Sequence, residues 1–274
     1  MPSETIPLRE SQLAIEDGVA LFTHQRPAAR NALSLDLRAD YRDMLGQVES
    51  DRRVRALIIT GSGGSFCAGG DVKGMSSRSD PEFRTPDAMR RRLQVGHGLI
   101  ERLRSLEMPV IAAVDGPAVG AGFSFALAAD FILASHRAYF CMSFLKVGLI
   151  PDLGAFHFLP RAVGLPMAKE LAMTARRVNA AEGKQLGFVH TLHEPESLQA
   201  DAMHFARRFL AGPREAIGLT KALLNKSYET PYATLAELEG NAQAVVSTLP
   251  YHHEAVEAFT RGEALRYDWD RTTG

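Results

Sequence analysis

Strand and helix patterns alternate over the first two thirds of the chain and only helical periodicity follows, which predicts an α/β core with a C-terminal helical region. Two observations carry that reading. Two short β-branched runs each end in a glycine tract, RALIIT before GSGGSFCAGGDVKGM and PVIAAV before DGPAVGAG, and no convincing strand follows Leu198. The 274 residues, 46% of them apolar, suffice for one large core or two modest ones. With 31 Lys plus Arg against 32 Asp plus Glu and no block of like charge, the chain carries no electrostatic footprint for nucleic acid or an anionic membrane. Cys67 and Cys141 are two isolated thiols, which suits a reducing compartment and supplies too few ligands for a tetrahedral zinc site. The polar MPSETIPLRE lacks a signal-type apolar region, and no stretch reaches about 18 uninterrupted apolar residues, so a soluble cytoplasmic protein is expected.

Element by element, Gln12 to Glu16 and Val19 to His24 alternate around Gly18 and predict a hairpin. Ser34 then caps a helix in which Leu35, Leu37, Tyr41, Leu45 and Val48 recur at helical spacing up to Ser50 and Asp51. Arg55 to Thr60 reads as a buried strand feeding the first glycine tract, and residues 76 to 92, rich in Ser, Asp, Pro and Arg, read as a mobile segment entering a helix. The second unit repeats the first: Pro109 to Val114 as a strand, DGPAVGAG as a tight turn, and FSFALAAD as a helix apolar on nearly every side. Short strands are predicted at Phe131 to Ala134, Ala138 to Met142 and Val189 to His193. Amphipathic helices are predicted at Ala202 to Leu210, Ala216 to Leu224, Leu235 to Val246 and His253 to Phe259. HEPES near residue 195 marks the expected division into a core, 1–195, and a helical domain, 196–274.

Both glycine tracts follow strands, so their backbone N–H groups are placed to converge on one acceptor oxygen, and the second also opens a helix. Glycines that merely allow tight turns explain either tract equally well. Neither tract completes a dinucleotide or Walker-type fingerprint. Between Glu107 and Glu170 the only carboxylates are Asp115, Asp130 and Asp152. The first two sit at junctions where Asp commonly caps a turn. Asp152 falls within the apolar run GLIPDLG, where burial would raise its pKa and make it a usable base; capping of a helix near Ala155 is the alternative. Ser124 in GFSFA misses the last glycine of a nucleophile elbow, although Asp152 and His157 follow in hydrolase order. Cys67 reads as a small buried thiol. His190, His193 and Glu194 fit a solvent or turn role better than a metal site, because i and i+3 on a strand face opposite ways.

Four segments in register, RPAARNALS (26 to 34), SFCAGGDVKGM (65 to 75), PVIAAVDGPAVGAGFSFALAAD (109 to 130) and GLIPDLGAFHFLPRAVG (148 to 164), resemble the enoyl-CoA hydratase/isomerase (crotonase) superfamily over nearly the whole chain. The resemblance implies a crotonase-like (ββα)n spiral core and a C-terminal helical trimerisation domain, assembling as a homotrimer or homohexamer. It implies that the N–H groups of Ala68 and Ala121 polarise a thioester carbonyl. It further implies that Arg26, Ala28, Arg30, Phe66, Ala68, Asp71, Val72 and Phe144 line the acyl-CoA groove, with Phe259 and Arg261 near a neighbouring subunit's ligand.

Hydratases of this family carry two glutamates at the positions held here by Ser124 and Phe144, and neither replacement activates water near neutral pH. The aspartate at position 152 instead resembles that of phenylacetyl-CoA-epoxide-type and dienoyl-CoA isomerases, and benzoyl-CoA dehalogenases of the superfamily use an aspartate here as nucleophile. The expectation is an acyl-CoA isomerase with coenzyme A as part of its substrate and with no metal or redox cofactor. An enoyl-CoA hydratase, a non-catalytic acyl-CoA binder and an acyl-CoA hydrolase using Ser124 are the alternatives. Arg30, Lys73 and the arginine-rich stretch are candidates for CoA phosphates, or serve solubility. Phe123, Phe125, Phe144 and Phe156 belong to the core or line an acyl pocket.

Overall fold

The computed structural model describes residues 4–71 and 85–270. Strands β1 (Glu4–Pro7), β2 (Ser11–Glu16) and β3 (Val19–His24) form an antiparallel meander whose second turn is the predicted hairpin. From β3 the sheet continues in parallel through β4 (Ala56–Gly61), β5 (Val110–Val114), β7 (Phe131–Ser135) and β10 (Thr191–His193), giving seven strands in the order β1-β2-β3-β4-β5-β7-β10. A smaller sheet joins β6 (Pro117–Val119), β8 (Tyr139–Cys141) and β9 (Val178–Asn179). The sequence reading has no counterpart for β1, β6 or β9. These strands have four, three and two residues, too few for a period of two to register, and β6 lies inside the glycine tract read as a turn.

Side chains alternate across the large sheet, and both faces are covered, which is why RALIIT and PVIAAV are apolar throughout. Leu57, Ile59, Val110 and Ala112 pack with the helices α1 (Leu35–Ser50), α2 (Pro86–Ser105) and α3 (Ala121–Ala128). Ser34 caps α1 as predicted, its Oγ accepting the Leu37 N–H at 3.0 Å. On the opposite face Ala56, Ile58, Ile111 and Ala113 meet α7 (Leu198–Arg207). This helix lies past the division expected near residue 195, yet its Ala202, Phe205 and Ala206 complete that core. Helices α4 (Ala155–Val163), α5 (Leu165–Thr174) and α6 (Ala180–Gln185) precede it; α8 (Arg214–Leu224), α9 (Tyr232–Val246) and α10 (Pro250–Thr260) follow. Among the described residues no helix is long and apolar enough to cross a membrane.

One polar group is sealed inside the first core. His24 is fully buried, with Nδ1 2.9 Å from the Phe66 carbonyl and Nε2 2.8 Å from the Tyr41 hydroxyl. A carbonyl only accepts, so Nδ1 carries the proton and Nε2 accepts from Tyr41. Burial pushes the His24 pKa down from 6.5 to about 4. The unfolded chain therefore takes up a proton near pH 6.5 that the folded ring refuses until about pH 4. Stability from this site is complete above the unfolded value and is lost as pH falls between the two. The expected loss is about 3 kcal/mol, since each pKa unit is worth roughly 1.4 kcal/mol. Urea denaturation at pH 7 and pH 4.5, run beside His24→Gln, checks it: the variant should lack that component of the acid slope.

Candidate active site

Because β4 and β5 are parallel neighbours, the two glycine tracts leave the same edge of the sheet. There they lie against each other: the Cys67 N–H donates to Pro117 O at 3.0 Å and the Val119 N–H to Cys67 O at 2.9 Å. Glycine is obligatory at this approach, since a Cβ on Gly122 would stand 2.3 Å from Cys67 O and one on Gly116 would stand 2.1 Å from Gly64 O.

The other side of the first tract is fastened to residues 26–33. Asn31 is buried at φ 53°; its Oδ1 accepts the Arg26 N–H at 2.8 Å and its Nδ2 donates to Ser62 O at 3.0 Å and Ser65 O at 2.5 Å. The Ala68 N–H donates to Arg30 O at 2.9 Å. That amide is spent, which corrects the expectation that Ala68 supplies a donor to substrate. Gly69, at φ 99°, reverses the chain's alternation. Its carbonyl accepts from Leu33 N–H at 2.7 Å and the Asp71 N–H donates to Leu33 O at 3.4 Å, so the Gly70 N–H between them turns the other way, to the side of the second tract. It has no acceptor among the described residues. Nor has the N–H of Ala121, the first residue of α3, where helix geometry offers no partner. The two tracts are close at this point: a Cβ on Gly69 would stand 3.8 Å from the Ala121 nitrogen. Sequence reasoning missed Gly70 because the direction of its N–H depends on the φ of its neighbour.

Asp152 follows the 3-10 turn Ser143–Val147, in a loop that takes Leu153 to φ 51° and Gly154 to φ 85° before α4 begins. Its carbonyl accepts the Ala155 N–H at 3.1 Å and the Ser124 hydroxyl at 2.9 Å, which ties the loop to the first turn of α3. Gly154 is the N-cap of α4 and no side chain caps that helix, so the carboxyl group of Asp152 is not a cap. One of its oxygens, Oδ1, is buried without a hydrogen-bond partner. Burial raises the Asp152 pKa above the ordinary carboxylate value, opposed by the charges of Arg38 on α1 and His97 on α2. Beside His97, a Cβ on Gly96 would stand 2.6 Å from Leu153 Cδ2, so α2 closes directly on this loop.

The remaining predicted residues divide plainly. Ser124 is fully buried and its hydroxyl is used by Asp152 O, while His157 pairs with Glu229 at 3.2 Å, so no hydrolase set is assembled. Phe66 lies in the core with its ring 5.6 Å from that of His24, which corrects its placement in a ligand groove. Phe144 is buried with its ring edge 3.9 Å from where a Cβ on Gly120 would be. Arg26 pairs with Asp71 at 2.6 Å and with Glu10 at 3.2 Å, and Ala28 and Arg30 are exposed on the turn between them. Phe259 is three-quarters exposed on α10 at 75%, and Arg261 pairs with Glu263 at 2.7 Å. Val72 and Lys73 lie outside the described residues. Phe123 and Phe125 are core, and Phe156 is exposed.

Asp115 takes two bonds from Arg137, at 2.7 and 2.5 Å, and one from Ser135 at 2.8 Å; Asp130 accepts the Val110 N–H at 2.8 Å and pairs with Lys221 at 2.7 Å. Burial pushes the Cys67 thiol up to about 11, the state of an inert core residue. The ring of His193 is held by Thr191 at 2.7 Å and Asp201 at 2.8 Å. A cavity of about 780 Å³ exists elsewhere, between the end of α3 and α8, lined by Asp130, Phe158 and Lys221.

Two unpaired amides on adjoining turns, with a half-buried carboxyl group on a loop tied to the same helix, are an arrangement able to receive an oxyanion on an α/β scaffold. The family model for enoyl-CoA hydratase/isomerase matches residues 14–271. The chain is 34% identical to the 1,2-epoxyphenylacetyl-CoA isomerase of Escherichia coli K12 over 245 residues, 89% of this chain and 93% of that one. It is also 34% identical to a crotonyl-CoA hydratase of Syntrophomonas wolfei, over 89% and 92% of the two chains. The crystal structure of an enoyl-CoA hydratase/isomerase from Cupriavidus metallidurans CH34 superposes with a TM-score of 0.92 at 36% identity, covering 98% of this chain and all of that one. The chain belongs to the enoyl-CoA hydratase/isomerase family.

The fastening of the first tract is directly measurable. Asn31→Ala leaves two carbonyls and one N–H without their partner and puts a Cβ-bearing residue that cannot bond locally at φ 53°. The expected loss is about 3 kcal/mol by denaturant unfolding, several times an ordinary hydrogen bond, because buried groups are left unsatisfied.

Proposed function

We propose that this protein is an acyl-CoA isomerase that moves a double bond, or rearranges a ring, through an enolate of the thioester. The observation that carries the reading is the Asp152 carboxyl group, half-buried, with Oδ1 unpartnered and its pKa raised by burial, on a residue whose backbone carbonyl is tied by the Ser124 hydroxyl to the helix that begins at Ala121. The thioester oxygen accepts the N–H groups of Gly70 and Ala121. Asp152 removes a proton from the activated carbon, negative charge passes to the oxygen, and the same carboxyl returns the proton at the other end of the conjugated system. One proton moves and no electron is gained or lost. Coenzyme A enters as the carrier of the substrate. Oriented donors of this kind are worth roughly 3 kcal/mol each to a developing oxyanion.

Hydration is the competing chemistry, and the positions that carry its glutamates hold Ser124, whose hydroxyl is used by Asp152 O, and Phe144, whose ring has no proton to give. Incubation of a 3-enoyl and a crotonyl thioester separates the two: migration without water uptake is expected, and water addition without migration overturns the proposal. Asp152→Asn should lower kcat roughly a hundredfold or more with KM little changed. Ser124→Ala should keep measurable turnover, because it removes a positioning bond and no reacting group. A base must be unprotonated to act, so kcat/KM should rise with pH along an acid limb displaced above the ordinary carboxylate range.

We also propose self-association through the C-terminal helices. In one chain α9 and α10 bury no residue, while Tyr232, Val245, Val256 and Phe259 stand exposed at 85%, 55%, 49% and 75%. Sedimentation equilibrium should return a homotrimer or hexamer; a monomer at micromolar concentration would refute it.

A further inference from the structure

A second cavity, of about 330 Å³, lies at the far end of the sheet from the glycine tracts. Arg55, on its wall, immediately precedes the six residues of β4, and the first tract follows that strand. At 3.3 Å per residue the two places are roughly 20 Å apart. Four guanidinium groups, those of Arg52, Arg55, Arg214 and Arg266, line this cavity against one carboxylate, Glu215.

Their partners are mostly neutral. Several arginines elsewhere meet carboxylates closely, as Arg102 meets Glu49 at 2.7 Å, Arg137 meets Asp115 at 2.5 Å and Arg176 meets Glu170 at 2.7 Å. Here neutral groups hold them. Arg55 donates to Gly212 O at 2.8 Å, Arg214 donates to the Arg52 carbonyl, and Arg266 sits over the Tyr251 ring at 5.6 Å from its centroid. Only Arg52 reaches a carboxylate, Glu215, and at the longer distance of 3.6 Å. Burial lowers the pKa of Arg55, the charges of Arg214 and Arg266 lower it further, and Glu215 alone among the cavity's carboxylates opposes them, so four like charges share one anion. The eleven-residue α8 also opens on this cavity, with no side-chain cap; its first bond to Pro213 O comes from Ile217, which leaves earlier N–H groups facing outward.

We propose that this cavity binds a phosphate group, carried as a phosphomonoester or diphosphate, gripped by Arg52, Arg55, Arg214 and Arg266 at the N-terminus of α8. Guanidinium forks match phosphate oxygens bidentately, and the small volume suits a phosphate or diphosphate head group. The site is separate from the glycine tracts and stands whatever reaction occurs there.

Calorimetric titration of the full chain with inorganic diphosphate at low ionic strength tests it. Binding is expected, weakening as potassium chloride is added. Exposed Arg52 and Arg266 are changed together in Arg52→Gln/Arg266→Gln, which leaves the half-buried Arg55 in place, and affinity should fall at least tenfold. No binding at millimolar diphosphate, or an affinity unchanged in the double variant, overturns the proposal. Competition with CoA identifies the source. Displacement of diphosphate by CoA, lost in the double variant, assigns the site to phosphates of the thioester carrier; simultaneous binding assigns it to a free phosphate compound, and both uphold the site.

Discussion

The pair of backbone hydrogen bonds that joins Cys67 to Pro117 and Val119 holds the two glycine tracts together. Two loops that follow different strands become one surface through it. The N–H groups of Gly70 and Ala121 then lie on the same side of that seam because Gly69 turns the first loop over and α3 starts immediately after the second. The glycines that looked like simple turn formers serve both purposes at once. Gly116 and Gly122 let carbonyls of the first tract come closer than any Cβ allows, and that closeness brings the two tracts into contact.

Around this seam the acidic groups are almost all committed. Asp40 is fully buried yet accepts the N–H groups of Arg9 and Glu10 and the Ser11 hydroxyl, at 3.1, 2.7 and 2.8 Å. Asp71, Asp115 and Asp130 each face a cation. A buried carboxylate is normally stabilised in this way, by donors or by positive charge. Asp152 has the nearby charges of Arg38 and His97 but an oxygen with no donor, and burial raises its pKa above the ordinary carboxylate value. Such a group takes a proton more readily than an ordinary carboxylate does.

The large elements were legible because each leaves a local mark. Alternation around Gly18 gave the hairpin, Ser34 gave the start of α1, and the two apolar runs gave the central parallel strands. Asp152 was legible for a related reason, as a charge inside an apolar run. What stayed hidden depends on distant partners. Ser124 read as a weak nucleophile because the carbonyl it serves lies 28 residues away. Ala68 read as a donor because its commitment to Arg30 is a tertiary bond, 38 residues back along the chain. The strands β6 and β9 exist only through pairing with β8, and α7 belongs to the sheet by packing that its own periodicity does not reveal.

Backbone strain is distributed in the same pattern. Among the described residues five non-glycine positions have positive φ, and three of them, Arg30, Asn31 and Leu153, lie in the two loops that flank the seam. Such conformations cost on the order of 1 kcal/mol or more each and persist only where surroundings over-determine them. The surroundings here are specific: three hydrogen bonds on the Asn31 side chain, and the burial of Leu153 beneath Gly96. A loop that only had to connect β8 to α4 would relax to ordinary angles. This one is held out of them, and the residue it holds in place between Pro151 and Leu153 carries the buried, unpartnered carboxyl oxygen. Strain at Leu153 thus adjoins a carboxyl oxygen of Asp152 that is buried without a donor, and stability alone would have removed both.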